Sequence, residues 1–260
     1  MPNYPNKRNL IILTTTFILG VLLLEQFIIF PLINEAYFIL HLSQIMSNFI
    51  FKTAELLLFI SLNYFLTKQK VFLMPSKSWL TVFLFIFISI VCIPFFSTPH
   101  LENAILTGLM GGIPEEYFSR GVLLSFFLTY FVRNNYSRTA LIKAIFSSNF
   151  IFALMHLTNL SHESVSYVIL QCILSFVSGL SYSAIYVQTG SLYLSMFMHF
   201  TKDFILTADV SSQLTNILHS SFAMFQLLLV VITFIYWNKH EPRLIRLIRY
   251  SSNEKQTYLT

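Results

Sequence analysis

Long stretches of apolar sequence, each about 20 residues or more, recur along this chain, and that repetition decides what it can fold into. A run of about 20 apolar residues is the length of a helix that crosses the hydrocarbon of a bilayer. In lipid a backbone must satisfy its own hydrogen bonds, which leaves helices or closed barrels. The runs are long and uninterrupted rather than short and alternating, so they predict helices. Composition agrees: 10% of the 260 residues are charged and 55% are hydrophobic, whereas soluble domains carry about 25% charged residues.

Eight spans are expected, near 10–33, 45–66, 79–97, 101–131, 140–158, 165–188, 190–208 and 218–238. The first run follows Lys7 and Arg8 and is too long for the apolar core of a signal peptide, so it reads as an uncleaved first span. Orientation follows the basic residues. Thirteen of sixteen, from Lys7 and Arg8 to Lys239, Arg243, Arg246, Arg249 and Lys255, fall at one set of loops and ends. Lys52, Arg120 and Lys202 remain, all inside spans. The expectation is an all-α, polytopic membrane bundle, residues 1–260 forming one integral domain, multi-pass in the cell membrane, with both termini cytoplasmic. The Arg-rich stretch Pro242–Tyr250 reads as a positive anchor at the inner leaflet. Cys92 and Cys172 lie apart in apolar segments with no ligand spacing. The modest net charge of +5, accounted for by the loops, gives no reason to expect a nucleic-acid partner. The partners expected are the lipid bilayer and a peptide or protein substrate in or at the membrane.

Charges inside spans are costly, at roughly 2.5–3.5 kcal/mol each on insertion scales, and face the bundle interior. Lys52 and Glu55, three apart, read as a structural ion pair, with Glu25 as a third member. The segment Gly111–Gly121 holds Glu115, Glu116 and Arg120, with Gly111, Gly112 and Pro114 predicting a kink. Glu116 and Arg120, four apart, can pair directly, while Glu115 lies about 100° round the helix. A structural pair needs only one glutamate, so Glu115 is the surplus that calls for a function. His156 ends the fifth span, one turn after Phe152 and two after Asn149; His199 and Asp203 share a face of the seventh, and Lys202 reads as structural. The threading puts Glu115, His156, His199 and Asp203 at similar depth, between the middle and the outer third of the bilayer.

A carboxylate with imidazoles suits activation of water, with a second imidazole donating to an oxyanion. Two histidines and a carboxylate also match a catalytic zinc set, although HExxH is absent. These residues leave a divalent metal and a metal-free route both open, and no cofactor is otherwise implied. A transporter using buried acids as a proton relay would favour paired broken helices, and only one Gly/Pro-broken segment is evident.

Together "EEYFSR" at 115–120, "FALMH" at 152–156 and "HFTKD" at 199–203 resemble the EExxxR, FxxxH and HxxxN/D motifs of the CPBP intramembrane proteases. That family includes the CAAX prenyl endopeptidases and the bacteriocin-processing and self-immunity proteins. The resemblance covers about residues 100–208. It implies that Glu115 and His156 activate water, that Glu116 and Arg120 brace the site, and that His199 and residue 203 stabilise the oxyanion. Position 203 is Asp where prenyl endopeptidases carry Asn. An ionised Asp cannot donate to an oxyanion, so Asp203 is expected to orient His199. With the site nearer the outer face, a hydrophobic or exported peptide is expected as substrate, in maturation or in bacteriocin self-immunity. A non-catalytic scaffold of the same fold is the alternative.

Overall fold

The computed structural model describes residues 7–73, 86, 89, 100–132, 136–208 and 212–249. The expected third span, 79–97, lies outside them, as do Cys92, Lys77, Arg133 and Lys255. The described residues are helical, with no strand among them. Helix α1 runs through Lys7–Leu24, Glu25–Ile29 and Phe30–Ile39. It is followed by α2 (Gln44–Leu62, then Asn63–Thr67). The next helix, α3, takes in Leu101–Met110, Gly111–Glu115, Tyr117–Leu124 and Ser125–Phe131. After it come α4 (Arg138–Met155, tightening to a 3₁₀ turn at His156–Ser161), α5 (Val165–Thr189), α6 (Leu192–Ala208) and α7 (Ser212–Tyr236).

Four helices are long and apolar enough to cross a membrane: Asn9–Ile39, Gln44–Thr67, Arg138–Ser161 and Val165–Thr189. A shorter apolar helix covers Ser220–Tyr236. These helices put large apolar side chains on the outside, such as Leu19 and Phe27 on α1 and Ile169, Ile173 and Val177 on α5. An apolar exterior is what a hydrocarbon solvent selects. The charged helices α3 and α6 lie against each other.

Helix α1 shows how a pattern meets the interior. Leu10, Thr14, Phe17 and Val21 are buried, at spacings of four and three, which line one helix face. Glu25 continues that row into a wide π-type turn, Glu25–Ile29. Pro31 explains the turn: it has no N–H to donate, and its ring crowds the carbonyl four residues back, which a wider turn relieves. The same device recurs in α3 where the sequence predicts a kink. Pro114 sits inside the π segment Gly111–Glu115, and the helix widens there without breaking.

Helices α3 and α6 approach closely through glycine. A Cβ on Gly112 would lie 2.7 Å from the Met196 carbonyl oxygen, and one on Gly108 would lie 2.9 Å from that of Phe200. Gly108 and Gly112 are four apart, the small-xxx-small spacing that lets backbones touch in membranes. Because the obstacle is backbone, Gly112→Val is expected to cost about 1–3 kcal/mol, read as a lowered midpoint of thermal denaturation in detergent.

The apolar core gathers at one end of the bundle. Leu124, Leu128, Leu141, Ile145, Tyr186 and Trp237 are buried together there. The Arg-rich tail is more than an anchor. Residues 243–249 are helical, and Leu244 and Ile245 are buried in that core. Tyr136 donates to the Trp237 carbonyl at 2.8 Å, and the Trp237 indole donates to Gln188 at 2.7 Å. The tail is thus docked against the bundle. A smaller buried cluster, Ala104, Phe204, Ile205 and Ala208, joins the start of α3 to the end of α6.

Candidate active site

The charged segment of α3 meets three neighbours because consecutive helical residues point in different directions. Glu115 turns toward α2, where the Lys52 ammonium lies 3.4 Å from Oε1. Glu116 turns toward α6 and is fully buried. One of its oxygens, Oε1, accepts from Arg120 Nη1 at 2.8 Å and from His199 Nδ1 at 2.9 Å. Buried charges persist only when paired and hydrogen-bonded, and this pair is extended on both sides. Arg120 Nη2 donates to Asn149 Oδ1 at 2.8 Å. Asn149 in turn donates to the Ile145 carbonyl at 2.8 Å and to Ser183 Oγ at 2.9 Å. The guanidinium also lies over Phe152 and Tyr182, 5.0 and 5.3 Å from their ring centres, within cation–π range.

The two histidines are held differently. His156 Nδ1 lies 3.1 Å from the Phe152 carbonyl, and a carbonyl can only accept, so Nδ1 carries the proton. Nε2 is then the acceptor, and it faces Ser175 Oγ at 3.2 Å. His199 has a carboxylate at each ring nitrogen: Glu116 at Nδ1, and Asp203 3.4 Å from Nε2. Tyr182 stacks on the His199 ring at 4.9 Å and 21°, fixing its plane. Hydrogen bonds to the second nitrogen are the usual means of setting which edge an imidazole presents.

Glu115, His156, His199 and Asp203 all line one cavity of about 430 Å³. The sequence expectation that these residues meet is therefore met, with Glu116 and Arg120 directly behind them. The FxxxH spacing has a physical content as well, because the Phe152 carbonyl accepts from His156 and its ring packs edge-on against the imidazole at 4.9 Å.

Two readings change. Lys202 lines the cavity beside Asp203, so it is part of the chamber and not a purely structural lysine. Lys52 does pair with Glu55, at 2.8 Å, but it also reaches Glu115, so this pair adjoins the site. Ser175, Tyr182 and Ser183 were not singled out by sequence. They are ordinary residues of an apolar helix, and only the packing of α5 shows their partners.

Gly179 explains how α5 comes so close. A Cβ there would collide with Asn149 Oδ1 and Arg120 Nη2. Gly179→Ala is expected to displace the Arg120–Asn149 bond and lower activity, with a lowered melting midpoint as the accompanying sign. An unchanged midpoint and unchanged turnover would contradict this packing.

With this geometry established, the comparison with known families is informative. Residues 97–205 match the family described as type II CAAX prenyl endopeptidase Rce1-like. The match covers less than half of the chain and is a likeness to that family. It runs from α3 to α6, the helices that carry Glu115, His156, His199 and Asp203, whereas the α7 wall of the cavity lies outside it. No curated protein and no solved structure gives a significant match.

The donor set fits a metal ion poorly. Among the described residues no three His, Cys, Asp or Glu side chains converge as a metal-holding group. Glu115 faces the ammonium of Lys52, which would repel a cation. Glu116 Oε1 is already engaged by Arg120 and His199.

Proposed function

We propose that this chain is an intramembrane endopeptidase in which Glu115 and His156 activate water without a metal ion. The observation that carries this reading is the convergence of Glu115, His156 and His199, from three helices, on one cavity. Glu115 removes a proton from water as the water oxygen bonds to the scissile carbonyl carbon, and the C=O electron pair moves to oxygen. His156, through its unprotonated Nε2, orients that water once Ser175 yields its place. Glu116 holds the His199 ring through Nδ1, and Nε2–H turns to the oxyanion once the longer contact to Asp203 gives way. Collapse re-forms C=O and breaks the C–N bond, and the proton on Glu115 passes to the departing nitrogen, leaving one carboxyl and one amine terminus.

The cavity walls suggest the substrate class. Leu170, Leu174, Val177, Leu206 and Leu227 line it, which suits a hydrophobic peptide segment lying in the membrane. The family's name points to CAAX substrates, but Asp203 stands where that group carries Asn, and the basic loops favour a chamber on the non-cytoplasmic side. Our reading is a multi-pass protein of the cell membrane that cleaves hydrophobic or exported peptides, in maturation or in self-immunity to a bacteriocin.

The test is hydrolysis of quenched fluorescent peptides by the purified chain in liposomes. His156→Ala is expected to lower turnover by about 10²-fold or more while the protein remains inserted. Dialysis against a zinc chelator is expected to leave the rate unchanged. A chelator-induced loss restored by added zinc would overturn the metal-free route. A host resistance phenotype that survives Glu115→Gln would favour a scaffold.

A further inference from the structure

Lys52 belongs to none of the three motifs and lies on α2, outside the segment that matches the family. Its surroundings nevertheless differ from those of a structural lysine. A second cavity, of about 240 Å³, lies on its side of the bundle. Glu25, Lys52, Glu55 and Asn159 line this one beside Phe59, Phe118 and Met155, whereas the larger carries seven leucines and valines. Glu115 and His156 line both. The base of the proposed hydrolase therefore stands at a junction of the two cavities.

The distances assign the roles. Lys52 Nζ is 2.8 Å from Glu55 Oε2 and 3.4 Å from Glu115 Oε1. The Glu55 contact is shorter but is an ion pair without hydrogen-bond geometry, so Glu55 anchors the ammonium by charge, and the ammonium donates its hydrogen bond to Glu115. A simple structural pair would end at Glu55. The hydrogen bond to Glu115 Oε1 fixes one oxygen of the carboxylate and leaves the other to take a proton.

We propose that Lys52, anchored by Glu55, is a positioning residue that fixes Glu115 at the boundary of the two cavities. This rests on Glu115 being the base. Misplacing a reacting group by about 1 Å can cost 10²-fold in rate, and a freed carboxylate at a junction would move at least that far.

The experiment measures kcat and KM of the purified full chain in liposomes with the same fluorescent peptides. Lys52→Met is expected to lower kcat by about 10²-fold with KM within twofold, and Lys52→Arg to restore most of it. Lys52→Met also strands Glu55, so Lys52→Met/Glu55→Gln is made alongside, with the melting midpoint recorded. The double variant is expected to regain the wild-type midpoint but not the rate. If it regains the rate, Lys52 merely neutralises Glu55 and the inference is wrong. If Lys52→Met is fully active while Glu115→Gln is dead, this inference fails and the hydrolase reading stands. If Glu115→Gln is active, the hydrolase reading itself has failed.

Discussion

Glu115→Gln is expected to abolish peptide hydrolysis, lowering kcat by about 10²–10⁴-fold, in a chain that remains inserted and folded. The amide is nearly isosteric with the carboxylate but cannot accept the proton of the attacking water. Folding should survive because of how the charges are shared. Lys52 keeps Glu55 at 2.8 Å when Glu115 is neutralised. Glu115 and Lys52 also border a cavity, with side chains 23% and 29% exposed, so neither loses its only source of stabilisation. The measurement is paired: turnover of a fluorescent peptide in liposomes, and the melting midpoint in detergent. Lost turnover with an unchanged midpoint supports the assignment. Undiminished turnover removes Glu115 from the chemistry.

Arg120→Met is expected to have the opposite signature, a loss of the fold before a loss of chemistry. The Arg120 and Glu116 side chains are 1% and 0% exposed, and removing one partner of such a pair typically costs about 3–5 kcal/mol. The loss also strands Asn149 Oδ1, which accepts from Arg120 at 2.8 Å, and empties the space between Phe152 and Tyr182. Stability of that size is a large share of what a domain possesses, so the yield of folded protein should fall sharply. Glu116→Gln/Arg120→Met removes the uncompensated charge and should recover much of the folded yield. It should remain slow, because the carboxylate that holds His199 Nδ1 at 2.9 Å is gone. If the single variant folds as well as wild type, the buried network is not the structural centre of the site.

These two glutamates, adjacent in sequence, show how much could be read without coordinates. A helix places neighbours about 100° apart, so one arginine four residues on can serve only one of them. That argument separates Glu116 as the braced residue from Glu115 as the presented one, and the structure gives them different helices as neighbours. The histidines were legible for a related reason. Charges and imidazoles are expensive in lipid, so their depth along each span limits where they can meet. The partners of those histidines were not legible. Ser175 and Tyr182 touch the rings only because Gly179 lets α5 come close, and nothing in the local pattern distinguishes them from neighbouring serines and tyrosines.

Lys52 and Glu55 mark the same boundary. Three-residue spacing showed that they pair, because that is a property of one helix. It could not show that α2 leans the ammonium toward α3. The tail was misjudged likewise: alternating arginine and leucine describes an amphipathic face, but whether lipid or Trp237 covers that face depends on where α7 ends.

What the sequence determined by itself was therefore one-dimensional: helices of membrane length, their polar faces, and the pairs within a helix, since each depends only on rise, turn and the cost of charge in hydrocarbon. The tertiary structure alone decided which faces confront one another. Close approach through Gly108, Gly112 and Gly179 and the widened turns at Pro31 and Pro114 set the offsets between helices. Those offsets of a few ångströms determine whether two side chains bond or miss.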